Sequence, residues 1–259
     1  MPFTPSHAIV ALPFVRTPLV PAAIAVGAMT PDLPLFTRGI GIDYGTTHDL
    51  RGIPLTTAIA LALLLVWRLL LRPACRPLAP LALAARLPQE WDRGARATLR
   101  ETFPSAGRGI LLLVALALGV ASHILWDAFT HEGRLGSVLV PALGDPWGPL
   151  PGYKWLQHGS SIGGVLVLAI TGLLWLRGRA SGPVDPEPAA VRIVWWLSLP
   201  ALLVPAILAG LVVYGPPTPG FTAQHLAYRT LPVACGIWAA LTIVLVIVLR
   251  IRRAQRQTA

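Results

Sequence analysis

The stretch GVASHILWDAFTHEG, residues 119–133, closes a long apolar run and places His123, Asp127 and His131 at intervals of four. On a helix, four residues turn through about 400° and rise about 6 Å, so the three side chains share one stripe. Imidazole nitrogens and carboxylate oxygens are donors for zinc, iron or manganese, and a His and an Asp one turn apart can grip one ion. His131, about 12 Å from His123 along a helix axis, is too far to join them without a bend. It is expected to bind a second ion or to sit beside a substrate. Asp127 needs a partner in any case, because a carboxylate at the centre of a membrane helix costs about 2.5 kcal/mol or more.

The elements that position these residues follow from composition. Hydrophobic residues fill 54% of the 259 positions and charged ones 12%, about half the charged share of a soluble domain. The chain reads as an all-α, polytopic membrane protein. Five stretches are apolar enough to span a bilayer, near 53–71, 109–130, 159–176, 193–214 and 230–249. A sixth, near 8–36, is broken by Pro13, Pro18 and Pro21 and holds Asp32. It is expected to be either a kinked span or a re-entrant helical pair. With no Lys or Arg ahead of its apolar run, the N-terminus is a poor signal peptide and is expected to be retained. Cys75 and Cys235 make neither a metal-ligand spacing nor a disulfide framework.

Basic residues set the expected topology. Residues 72–108 carry seven arginines, from Arg72 to Arg108, and the 177–192 connection has Arg177, Arg179 and Arg192. The tail has Arg250, Arg252, Arg253 and Arg256, whereas segments 131–158 and 215–229 hold only Arg134, Lys154 and Arg229. The positive-inside rule puts the three basic segments, and with them the C-terminus, in the cytoplasm. Topology also accounts for the formal charge of +10 better than nucleic acid does, since loop 72–108 has no compact recognition motif. Membrane lipids are the expected partners. On this map Asp32, His48, His123, Asp127, His131 and His158 converge on the outer face from positions far apart in sequence. Taken alone, Asp32 in MTPDLP reads as a turn residue and His48 as a loop histidine; His225 fits no pattern. The expected organisation is a motif-bearing region 1–176, a basic linker 177–192 and two further spans within 193–259.

TPSHA, the PDLP turn, TTH before a span, SHILWDAFTHEG and YKWLQHGSSIGG together resemble a bacterial membrane family, the domain of unknown function 4184 family. More distantly, their order is similar to that of the inner-membrane metal-dependent hydrolases, a group likened to zinc-dependent phospholipase C. The resemblance implies metal ligands at His7, Asp32, His48, His123 and Asp127, with Thr130 and Gly133 shaping the helix end. The chain departs from the hydrolases at IDYGTTHDL, where Asp49 stands in place of a Ser.

The leading expectation is a hydrolase at the outer face of a bacterial cytoplasmic membrane, acting on a lipid or other phosphoester. Its cofactor would be a divalent metal, zinc first, with iron or manganese as alternatives. Asp32 or Asp127 would serve as general base if not a ligand, and His131 and His158 are further candidate ligands. Lys154, Gln157, His158 and Ser160 are candidate substrate contacts; Lys154 reads equally as an interfacial anchor beside Tyr153 and Trp155. Two other classes remain: a transporter using the His/Asp cluster as a cation or proton path, and a structural protein whose polar cluster locks helices together.

Overall fold

The computed structural model describes residues 3–38 and 40–258, with side chains through 255, so the side chain of Arg256 lies outside it. After a 3₁₀ helix at Thr4–Phe14 come α1 (Pro21–Met29), α2 (Leu50–Leu78), α3 (Ala106–Thr130), α4 (Gly152–Arg177), α5 (Ala189–Tyr214) and α6 (Ala223–Thr258). The last five are long and apolar enough to cross a membrane, and the fold is an all-α polytopic helical bundle. Among the described residues the one sheet is a two-stranded hairpin, Pro146–Trp147 paired with Leu150–Pro151.

Each apolar stretch lies within one of these helices, and most helices run well beyond it. One such extension is at α4, which starts at Gly152 rather than near 159. Hydropathy marks the hydrocarbon-depth part of a helix, whereas the polar, aromatic YKWLQH still forms helix. Lys154, Gln157 and His158 therefore sit on the first turns of α4 rather than in a loop.

The chain divides into two compact units. The first holds residues 1–33, 42–65 and 96–178; the second holds 34–41, 66–95 and 179–259. One border falls at Gly178, beside the basic linker. The segments 34–41 and 66–95 nevertheless group with the C-terminal helices, so the units interleave along the sequence and α2 passes from one to the other.

In the first unit, glycines set the packing. A Cβ at Gly27 of α1 would collide with the Leu116 carbonyl of α3, and one at Gly119 of α3 with the Ile24 carbonyl of α1. Buried Ala23, Ala28 and Ala115 extend this small-residue seam, which lets two backbones approach closely. The proline-broken segment folds back on itself: the Thr4 hydroxyl donates to Asp32 Oδ2 at 2.6 Å. A single crossing would hold its two ends about 30 Å apart. Pro13 lies within the 3₁₀ helix, whose last residue is Phe14, and Pro21 starts α1 at a position where a missing N–H costs nothing.

In the second unit α5 and α6 pack around Gly210, which faces Thr230 and Leu226. Trp195 of α5 lies against Trp238 of α6 with ring centroids 5.4 Å apart.

Candidate metal centre

Five ionisable side chains meet inside the first unit: His7 from the 3₁₀ helix, Asp32 from the turn after α1, His48 from the loop before α2, and His123 and Asp127 from α3. All are buried, His123 and Asp32 completely. Each position has a local cause. The α1–α3 seam brings the Ala28 carbonyl to 2.7 Å from His123 Nδ1. Asp43 caps the helical turn Tyr44–Thr47 by accepting from the Thr46 amide at 2.9 Å. His48 follows that turn, with Nδ1 3.0 Å from the Tyr44 carbonyl and its ring stacked on Tyr44. The Thr47 hydroxyl donates to the Pro31 carbonyl at 2.8 Å, tying this loop to the Asp32 turn. His7 stacks on His123 with centroids 4.0 Å apart.

These contacts fix tautomers. A carbonyl only accepts, so Nδ1 of His48 and of His123 carries a proton, and in its neutral form each ring presents a bare Nε2. Those two Nε2 atoms are 3.1 Å apart. Around them His123 Nε2 lies 3.6 Å from both Asp32 Oδ1 and Asp127 Oδ2, and His48 Nε2 lies 3.8 and 3.6 Å from the same two atoms. His7 Nε2 is 3.8 Å from Asp127 Oδ1. His7 Nε2, Asp32 Oδ1 and both Asp127 oxygens have no hydrogen-bond partner. Two triads, His7–Asp32–His123 and His48–His123–Asp127, hold their donor atoms within 4.8 Å of one another.

Burial pushes the His7 imidazole down to about 3 and the Asp32 carboxyl upward. A dry site alone thus drives both groups toward neutrality. A divalent cation reverses that balance for the carboxylate, and it needs the imidazole unprotonated.

His131 joins the edge of the cluster. The expected distance from His123 supposed a helix without a bend, whereas α3 stops at Thr130 and His131 takes an extended backbone. Its Nδ1 comes to 3.1 Å from the Asp127 carbonyl and 3.6 Å from Asp127 Oδ2, leaving Nε2 unpartnered. Gly133, at φ +68°, continues the turn.

The other candidates stand apart. Among the described residues no hydrogen bond or ion pair joins His158 to the cluster. Lys154 Nζ donates to Gln157 Oε1 at 2.9 Å. Ser160 Oγ accepts from Trp126 Nε1 at 3.1 Å, bracing α4 against α3. Asp49 accepts from the Arg51 amide and so caps the start of α2.

Thr4 was not among the sequence candidates although it lies in TPSHA, three residues before His7. A hydroxyl one helical turn from a candidate ligand was the available signal. Tyr44 and Ala28 act through backbone carbonyls, which no residue type announces.

The family model described as "Domain of unknown function (DUF4184)" matches residues 1–253, and the chain belongs to that family. No curated protein and no solved structure matches it.

Proposed function

We propose that this member of the DUF4184 family is a membrane-embedded, metal-dependent hydrolase of phosphoesters, with a divalent cation held by His7, Asp32, His48, His123 and Asp127. The observation that carries the reading is the 3.1 Å approach of His48 Nε2 to His123 Nε2. Two neutral imidazoles facing each other through lone pairs repel unless a cation lies between them. Two nitrogens at about 2.0–2.1 Å from one tetrahedral zinc stand about 3.3 Å apart. The donors are nitrogen and oxygen, which suits zinc first and iron or manganese next.

The metal would supply Lewis acidity toward a phosphoryl oxygen and toward water. The chain's own groups do the rest. Thr4 occupies one oxygen of Asp32 and leaves the other facing the imidazoles, which fits Asp32 to the role of ligand. Asp127 has both oxygens free, one to hold the ion and one to take a proton as general base. His131 holds its Nδ1 proton on the Asp127 carbonyl. Burial keeps its imidazole neutral, with a pKa lowered to about 4, so its unpartnered Nε2 stays an acceptor at the cluster's edge, and the proton taken by Asp127 would pass from that carboxylate to the leaving group. The motif order, similar to that of inner-membrane metal-dependent hydrolases, supports hydrolysis. The arginine distribution supports a bacterial cytoplasmic membrane location with a cytoplasmic C-terminus and a site opening outward.

The test is hydrolysis of an aryl phosphodiester, an aryl phosphomonoester and a phospholipid by detergent-purified protein. The expected result is turnover of at least one, lost on chelation, restored by one added metal and absent in Asp127→Asn. Metal-loaded, folded protein inert toward all three would overturn the hydrolase reading.

A further inference from the structure

A cavity of about 510 Å³ lies against the cluster, between the 3₁₀ helix, α3 and α4. That size is typical of ligand sites, about 300–1,000 Å³. His7, Ile9, Val10, Leu125, Trp126 and Gly163 line it. Three serines also line it, but their hydroxyls are spent on their own helices. Ser6 donates to the Phe3 carbonyl, Ser122 to the Gly119 carbonyl and Ser160 to the Gln157 carbonyl. Trp126 Nε1 is spent as well, on Ser160. A sugar or a second head group in this cavity would lose water and find no free donor on these side chains. Among these lining residues His7 carries a buried, unpartnered polar atom, Nε2, which lies 3.8 Å from Asp127 Oδ1 in the cluster.

Two adjacent glycines on α4 divide the work. A Cβ at Gly164 would press on Ser6 at 2.9 Å, so Gly164 lets the 3₁₀ helix pack against α4. A Cβ at Gly163 would meet nothing within 4 Å: its missing side chain leaves the cavity open. On the α3 side Leu125 is 64% exposed. Because α3 and α4 both have the length and hydropathy of membrane spans, that side faces hydrocarbon.

We propose that this groove seats one acyl chain of a membrane lipid whose polar head reaches the His/Asp cluster past His7, with Gly163 keeping the seat open. The fate of the head rests on the metal-dependent reading above; the seat for the chain does not. The substrate class of the centre is therefore an acylated amphiphile rather than a soluble phosphoester. Hydrocarbon is the occupant that matches side chains without free donors and an open side within the bilayer.

The experiment uses purified protein and phosphatidic acid carrying a diazirine midway along one palmitoyl chain. Photolabelling is expected to concentrate on peptides containing Val10, Leu125 and Gly163 and to be competed by unlabelled phosphatidic acid. Gly163→Leu displaces at least two methylenes of the chain and should cut labelling about tenfold. Gly172→Leu, on the same helix at a site equally free of neighbours, should not. Metal content is read in parallel on every sample. Labelling spread evenly over the apolar helices, or undiminished in Gly163→Leu, overturns the proposal whatever the metal result. Focused, Gly163-sensitive labelling in a protein that binds no metal upholds the seat and removes the hydrolase reading instead.

Discussion

The His/Asp cluster of the first unit and two polar sets of the second are built in opposite ways. In the second unit, buried Arg76 is closed on all sides: Nε donates to the Ala84 carbonyl at 3.3 Å, and the guanidinium also reaches Asp92 and the Pro183 carbonyl. Between α5 and α6, Trp195 Nε1 donates to Thr242 and Trp238 Nε1 to Ser198, whose hydroxyls donate back to the Trp238 and Trp195 carbonyls. Nothing in that ring is left open. In the first unit the histidines satisfy their outer nitrogens and leave their inner ones facing one another, with three carboxylate oxygens bare beside them. Buried polar groups that only hold helices together are paired, because each unpaired one costs about 1–3 kcal/mol. A set left open toward one shared point is preorganised for something that enters.

The sharpest way to break this contrast is Asp127→Asn. It should lower metal affinity by more than about a hundredfold, as loss of a direct ligand exceeds the 10–100-fold of outer-shell changes. The metal-free variant should be no less stable to heat than metal-free wild type, since a buried bare charge is gone. A large drop in melting temperature without metal would mean that the cluster is a structural lock like the one in the second unit. Asp92→Asn should behave in the opposite sense. It weakens the pairing of a buried arginine and should cost about 1–3 kcal/mol in chemical denaturation, with metal content unchanged.

Thr4→Val sharpens the comparison further. Removing the donor on Asp32 Oδ2 frees that carboxylate to rotate and should weaken metal binding about tenfold, with Thr4→Ser restoring it. The smallest effect concerns pH. Burial holds His131 neutral, with its pKa near 4 in the fold against about 6.5 when unfolded. Between those values the unfolded chain binds the extra proton, so this residue removes stability as pH falls from about 7 to about 5. Metal-free His131→Asn should lose less melting temperature over that interval than wild type.

The helices that could cross a membrane were legible because about 20 consecutive apolar residues leave a chain few alternatives. Asp127 was legible because an ionisable residue is costly in such surroundings, whereas His7 was legible only through the motif order of the family the chain resembles. What pattern could not supply was the geometry between distant segments. The spacing from His123 to His131 gave a distance only for a helix that continues, whereas α3 ends at Thr130. Prolines 13, 18 and 21 allowed both a kinked span and a fold-back; the choice rests on a hydrogen bond from Thr4 to Asp32, residues 28 positions apart. The Gly27–Gly119 seam that delivers the Ala28 carbonyl to His123 is a match between two helices, visible only once both are placed. The interleaved units were hidden for the same reason: α2 reads as one apolar helix although its two halves belong to different units.

Elemental analysis of the detergent-purified protein, wild type beside His48→Ala and His123→Ala, decides whether the cluster holds a metal. Near-stoichiometric zinc, iron or manganese in the wild type, lost from both variants while they keep their helical content, is the expected result. A folded wild type that takes up none of the three metals after loading with each would contradict it. The 3.1 Å approach of the two imidazoles would then be bridged by a proton, and the cluster would belong to a proton path.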